Sequence, residues 1–560
     1  MGILNRVKII KLDSYLIIAL ISGFIFCLYG IHWGRVEEWN PDQMVFKGNL
    51  SWGEIFSSPS DFLKPPFHTY FNFILSYIPL KFIEKIFRLS QNSLTSGSVM
   101  LIWSRIISAS LFLGTIFLNF QINKRFFGLF SARIITLIFA TSSGFIVYSH
   151  FLTADIPLIF WMILSFYFIQ SIYLQGKISN YLLAGFFTGI ATATKYNGLS
   201  IGIGIVLAHI LSFNELAWKK IIFSKKLILS LLTVVIGFLI GNPFALINYR
   251  QFVSDFLYNY ITTPIYNGEI TGTNYLTFFS IYIREIVGLP SLIIISLAIL
   301  YSLYLTFTSK DNKRIKSVLL ILTVFIIYYY KFADFPRLET RFVLPIVPFW
   351  LMLSGPFWNQ IKSNKAAISV ILVIIISYNT VCSLYVGKRF LDDPRMVAQE
   401  WVKANIPQLS LIENTAYIPT WNRLSGVKLK SRNMPFISGR GKLFEQNLTN
   451  RFKKDSWIIK RWRESQKSDQ NINFYSQEEL ANRKPEYIAI NSLYYERFFK
   501  NDNLKILYPE INQFFTKLIS EKYPYKRIFD QESKTPPIWA YPQNIDFLHN
   551  RTIIFKGKDS

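Results

Sequence analysis

Hydrophobic positions in this chain come in blocks rather than in short alternations. Apolar blocks fall near residues 15–34, 104–121, 131–150, 156–174, 180–194, 199–213, 227–247, 287–307, 317–333, 342–358 and 366–386. A helix of about 20 apolar residues crosses the roughly 30 Å hydrocarbon layer of a bilayer, so the pattern predicts about eleven transmembrane helices. The stretch FHTYFNFILSYIPLKFIEKIF (67–87) is also apolar, but Pro79 interrupts it and Lys81, Glu84, Lys85 and Arg88 follow. It reads as a helix lying in the outer interface with its apolar side in lipid, inside a first outer loop of about 35–103.

Beyond about 388 the pattern is mixed and polar, with no block long enough to span. SLIENTAYI (410–418) and PEYIAINSLYY (485–495) read as strands, and VAQEWVKANI (397–406) as a helix ending before Pro407. The expected architecture is an all-α polytopic membrane domain over 1–387 and a C-terminal soluble α/β domain over 388–560.

Charge sets the expected orientation. Only 17% of the residues are charged, yet the formal net charge is +26. Basic loops between apolar spans account for this excess without nucleic acid as a partner, and they face anionic lipid headgroups. Arg6, Lys8 and Lys11 precede the first span. If that end is cytoplasmic, every second loop should be basic. Those loops carry Lys124 and Arg125; Lys177; Lys219, Lys220, Lys225 and Lys226; Lys310, Lys313, Arg314 and Lys316; and Lys362 and Lys365. Counting 67–87 as a span would invert them all. The odd span number puts the C-terminal domain outside, and the expected location is the inner (plasma) membrane. No small-residue cleavage site follows the first apolar block, so it is expected to stay as an uncleaved span. Position 6 is Arg6 rather than the Ser or Thr of a myristoylation signal. Cys27 and Cys382 are the only cysteines, too few for a disulfide framework or a four-ligand metal site.

Charged groups beside spans are costly and point to function by default. On this topology Asp42, Lys64, Arg105, Asp155, Lys195, Arg337 and Arg341 all converge on the outer side. Each has a structural alternative. Asp42 reads equally as a turn former, Asp155 before Ile-Pro as a helix cap, Lys195 and Arg105 as side chains snorkelling to headgroups, Arg341 as an interfacial anchor and Lys64 as a loop charge. His68 and His150 read as packing residues, since no His/Cys spacing supports a metal site. The outer loop at about 248–286, with Arg250, Asp255, Glu269 and Arg284 and with Gly268 and Gly272 as hinges, is a candidate lid.

In order, Asp42, Lys64-Pro65-Pro66, Arg105, KRFFGLFSAR (124–133), Thr-Ala-Asp-x-Pro (153–157), ATKYNGL (193–199), ETRFVLPIVP (339–348) and LDDPRMVAQEWVKANIP (391–407) resemble the C-type (GT-C) membrane glycosyltransferases of family 39, the kind of the protein mannosyltransferases and aminoarabinose transferases. Gln43 stands where that family usually has a second acidic residue. The resemblance implies a GT-C fold and an inverting transfer of a sugar from a polyprenyl-phosphate carrier to an acceptor outside the cytoplasm. Asp42 would be the base, and Asp155 would orient the acceptor or assist. Lys64, Arg341, Arg105 and Lys195 would bind the donor phosphate, and Tyr196, Asn197 and Arg337 the substrate. No cofactor is expected. A divalent cation finds no ligand cluster in the sequence, and sugar and acceptor stay open. A lipid-sugar flippase, or a non-catalytic assembly protein, are the alternatives. The first would place paired charges at mid-membrane on broken helices, and the second would leave the carboxylates free to vary.

Overall fold

The structure is a computed structural model and describes residues 13–34, 39, 56–57, 59, 61–90, 97–213, 221, 223–262, 275–333, 339–424, 426–437, 440–453, 456–465, 469–545 and 547–558. Each apolar block lies largely in helix. The principal helices are α1 (Ser14–Leu28), α2 (Phe67–Ile86), α3 (Gly97–Ala140), α4 (Ser143–His150), α5 (Asp155–Gln175), α6 (Ile178–Thr194), α7 (Ile203–Leu211), α8 (Lys225–Gly241), α9 (Tyr249–Thr262), α10 (Leu289–Phe307), α11 (Asn312–Ala333), α12 (the broken run Thr340–Ile361) and α13 (Lys365–Leu391). Among the described residues, six helical runs are long and apolar enough to cross a membrane on length and composition.

One of these runs combines two expected spans. At Gly128 the backbone leaves helical geometry with φ 86° and ψ 173°, so α3 is two helices joined at a kink. Only glycine takes that φ without steric cost. Contacts of α1 report the resulting layout. Its N-cap Asp13 pairs with Arg133, beyond the kink, while carbonyls at its other end accept from Arg105, before the kink. The bundle therefore has two polar ends. One carries Asp13, Arg133 and the pair Arg125–Ser171, and the other carries Arg105, His150 and Asp155.

Helices α6 and α8 approach more closely than side chains permit. Gly185 and Gly189, one turn apart on α6, face the Ser230 and Val234 carbonyl oxygens of α8, and an added Cβ at either would run into that backbone. In lipid, where apolar burial gains nothing over acyl chains, such small-residue contacts supply the packing between helices. Helix α2 has the division expected of it. Ile74, Leu75, Phe82 and Ile86 are exposed, whereas His68, Asn72, Ser76 and Glu84 face the protein.

Helix α13 runs four residues past 387, and Asp393 then caps α14 (Pro394–Asn405), accepting from the Arg395 N–H with Pro394 at the first turn. The soluble part is built on five strands: β1 (Leu411–Asn414), β2 (Lys430–Asn433), β3 (Tyr487–Asn491), β4 (Tyr525–Glu532) and β5 (Arg551–Gly557). Their order is β2-β1-β3-β5-β4, with β1 parallel to β2 and β3, and β5 antiparallel to β3 and β4. Central β3 is buried along its whole length. Ile488 and Ile490 pack against Ile511, Phe514 and Phe515 of helix Pro509–Ile519, while Tyr487 and Ala489 pack with Ala398 and Val402 of α14. Helices on both faces explain why β3 reads as a continuous apolar run. Both expected strands are shorter than their apolar runs. After Asn491 the chain turns into helix Ser492–Tyr495, because the Asn491 side chain accepts from the Leu493 N–H and caps it.

Replacing Gly189 with Ala is expected to lower the apparent melting temperature of the detergent-solubilised chain by several degrees, an overpacking cost of about 1–3 kcal/mol. Gly202→Ala probes a glycine without a left-handed φ, whose added Cβ would meet only an ordinary contact 3.5 Å from the Thr188 side chain. Thermal scans giving equal shifts for the two would refute the close α6–α8 contact.

Candidate active site at one end of the bundle

At the end of the bundle that holds Asp155, a carboxylate is enclosed by protein. Asp155 opens α5 and is buried, in the first helical turn where the helix dipole favours a negative charge. Its side chain does not cap the helix. One oxygen accepts from Lys195 Nζ at 2.8 Å and the other from Thr153 Oγ1 at 2.8 Å. Lys195 sits where α6 ends and the 3-10 turn Tyr196–Gly202 begins, with extended backbone that aims it back at Asp155. The snorkelling alternative for Lys195 is thus replaced by an ion pair. Lys195 Nζ also lies 4.9 Å from the Phe342 ring centroid. Arg341 sits 5.4 Å from the same ring and pairs with Glu339 at 2.5 Å. Both cations act electrostatically on Asp155.

Around this core the other expected residues divide. Asn197 donates to the Tyr328 hydroxyl at 2.9 Å, which donates to the Phe342 carbonyl at 2.9 Å, so Asn197 supports the wall of the cluster. Tyr196 donates to the Phe62 carbonyl at 2.6 Å, tying the loop of Lys64 to the chain next to Lys195. Lys64 itself is exposed at this end. Arg105 is not brought to Asp155. It is fully buried, and its guanidinium donates to the Ile31 carbonyl at 2.7 Å and to that of Trp33, closing the end of α1. Asp42 and Arg337 lie outside the described residues, as do Gly268, Glu269 and Gly272 of the candidate lid.

Two residues that the sequence did not single out as site residues shape this end. His68, at the start of α2, is buried beside Thr153 and Asp155, and burial lowers its pKa to about 3 and keeps it neutral. Asp255 is buried in α9. It accepts from the Phe62 N–H at 2.8 Å and pairs with Arg461 of the soluble part, while Asn259 donates to the Leu63 carbonyl at 2.8 Å. Helix α9 thus fixes the backbone just before Lys64. In the sequence Asp255 stands only among the polar residues of the candidate lid, and its burial is decided by packing against segments far away in the chain. A second node joins the soluble part to the first outer loop. Asp393 accepts from Trp33 Nε1 at 2.8 Å and binds Arg395 through two nitrogens. Arg395 in turn lies 4.4 Å from the ring of buried Trp39, three positions before Asp42 in the sequence.

Chemically, the arrangement gathers two ion pairs, Asp155–Lys195 and Glu339–Arg341, at the edge of an apolar bundle, with Lys64 exposed at the same end. Such a set can hold a lipid-borne anion. Among the described residues no group of His, Cys, Asp and Glu could hold a metal ion.

Residues 65–259 match the family model described as dolichyl-phosphate-mannose-protein mannosyltransferase. The match includes Arg105, Asp155, Lys195, Tyr196 and Asn197, and it bears out the resemblance to C-type membrane glycosyltransferases. No curated protein matches the chain. In fold the chain is similar to ArnT from Cupriavidus metallidurans, at 11% identity and TM-score 0.48 when bound to undecaprenyl phosphate and at 12% and 0.49 in the apo state, covering 96% of this chain and 97% of that one in each case. It is also similar to the archaeal oligosaccharyltransferase AglB from Archaeoglobus fulgidus, in complex with an inhibitory peptide and a dolichol-phosphate, at 13% identity and TM-score 0.45, covering 95% and 74%.

Removing one partner of the buried pair tests its role in the fold. Lys195→Met should cost about 2 kcal/mol or more by leaving Asp155 uncompensated, discounted for the partial exposure of the lysine. Asp155→Asn added to Lys195→Met should restore part of the loss in thermal scans. If the double variant is as unstable as the sum of the singles, the pair does not couple.

Proposed function

We propose that this multi-pass membrane glycosyltransferase takes a sugar from a polyprenyl-phosphate carrier and transfers it, with inversion, to an acceptor at the outer face of the membrane. The observation that carries the reading is the Asp155–Lys195 pair with Arg341 one aromatic ring away, set at the end of an apolar bundle. A polyprenyl tail confines its phosphate to that level of the membrane. The matched family's name, which specifies a dolichyl-phosphate sugar donor, supports the same class of donor here.

In the proposed reaction the acceptor O–H or N–H gives its proton to the Asp42 carboxylate as the acceptor atom bonds to the anomeric carbon. The bond from that carbon to the phosphate oxygen breaks, its electron pair stays on oxygen, and polyprenyl phosphate departs. Negative charge grows on the departing phosphate, so cations already in place stabilise the transition state more than the ground state. Arg341 and Lys64 would take the phosphate, with Arg341 able to grip two oxygens. Lys195, held by Asp155, would supply a third charge, and Asp155 would keep that charge oriented. Tyr196 and Asn197 would position the pieces carrying Lys64 and Phe342 rather than touch substrate, and Arg337 is assigned to the acceptor side. The basic loops set the proposed sidedness, with the N-terminus cytoplasmic and the soluble domain outside the inner membrane. The cations stand in for a divalent metal in this scheme.

Asp42→Asn should lower turnover about 10²–10⁴-fold in proteoliposomes while binding of undecaprenyl phosphate, followed by native mass spectrometry, stays within twofold. Arg341→Ala should instead weaken that binding about tenfold or more. Full activity in Asp42→Asn would overturn the proposal. Chelation by EDTA should leave turnover unchanged, and a loss restored by added Mg²⁺ or Mn²⁺ would require a metal in the scheme. Mass spectrometry of glycans and glycolipids from cells lacking the protein would identify sugar and acceptor.

A further inference from the structure

The connection between β4 and β5 contains the sequence TPPIWAYPQN (535–544), which none of the preceding roles uses. It leaves the sheet and runs down the side of α13. Trp539 presents its carbonyl to the Tyr378 hydroxyl at 2.5 Å and its ring to Tyr385 at 6.0 Å between centroids. The Tyr541 carbonyl accepts from Ser143 Oγ at 2.8 Å, and the Pro542 carbonyl from Arg389 at 2.7 Å. The Asn544 N–H donates to buried Glu285 at 3.3 Å, and Ile545 and Leu548 join the core of the membrane bundle.

The depth of these contacts follows from α13. Residues 366–387 carry no charge between Lys365 and Lys388. At 1.5 Å per residue they extend about 33 Å, which is the thickness of the hydrocarbon layer. Tyr378 and Cys382 therefore lie about 15 and 9 Å from Lys388 along the axis of α13, inside its charge-free stretch. The side of α13 away from the bundle exposes Val370, Val373, Ile374, Val381 and Leu384 to the same medium.

Irregular backbone at such depth persists only when its polar groups are satisfied. Here Pro536, Pro537 and Pro542 have no N–H to satisfy. The carbonyls of Trp539, Tyr541 and Pro542 have donors from the bundle, and the Pro537 and Ala540 carbonyls accept from the Gln543 side chain. The side chains exposed at the tip are apolar. Ile538 is 88% exposed and Trp539 45%.

We propose that this strap is a membrane-inserted wedge, with Ile538 and Trp539 among the lipid acyl chains of the leaflet at the Asp155 end, fixing the height of the soluble domain over the site. A nitroxide at Ile538→Cys, in a Cys27→Ala/Cys382→Ala background of the full chain in phosphatidylcholine/phosphatidylglycerol nanodiscs, reads the depth by power saturation. Collisions with dissolved oxygen should exceed those with aqueous nickel-EDDA severalfold at 538. The same excess is expected from Pro537→Cys, which keeps the backbone carbonyl. Lys526→Cys on β4 should give the opposite ratio. Nickel-EDDA dominating at both 537 and 538 would overturn the proposal.

Discussion

A carboxylate enclosed at the end of an apolar bundle has to be paired, and the Asp155–Lys195 ion pair meets that requirement. Its two members come from consecutive helices whose ends must be brought level for the 2.8 Å contact to form. The level is set by contacts between α5 and α6, where Ser165 Oγ bonds the Ala184 carbonyl at 3.0 Å and Thr188 Oγ1 at 2.8 Å, and by the break in the chain at Lys195. Once the pair exists, its surroundings follow. Phe342 fills the space beside both cations, Tyr328 and Asn197 brace the Phe342 backbone, and Tyr196 draws in the segment before Lys64. In a medium of low dielectric a fixed charge of this kind also organises the field felt by an incoming anion.

The soluble part is coupled to this end at three separated places. Asp255 and Arg461 connect α9 to helix Trp457–Ser465, Asp393 and Arg395 tie the start of α14 to Trp33 and Trp39, and the strap between β4 and β5 lies along α13. Three points fix the position of a rigid body. Trp39, and Phe62 and Leu63 just before Lys64, are therefore held between two folded units rather than left to one. Arg105, closing the end of α1 at Ile31 and Trp33, stabilises the same region from within the bundle.

Much of this was legible in the amino-acid sequence, because the bilayer imposes a length on every element that crosses it. Apolar block length located the helices, and loss of that pattern near 388 set the expected start of the soluble part. The motifs from Pro65 through ATKYNGL gave a resemblance that the family match over 65–259 supports. Pro79 and the charges that follow it set 67–87 apart from the expected spans. These are properties of single segments, set by their own composition. What only the tertiary structure decided is which charge meets which. Nothing local distinguishes Arg105, spent on two carbonyls, from Lys195, paired with a carboxylate 40 positions away. Nor does anything local reveal that Asp255 in a polar loop is buried, or that a proline-rich turn 161 residues beyond Tyr378 lies against it. Pairing energy depends on distance and burial, and both are fixed by packing between segments far apart in the chain.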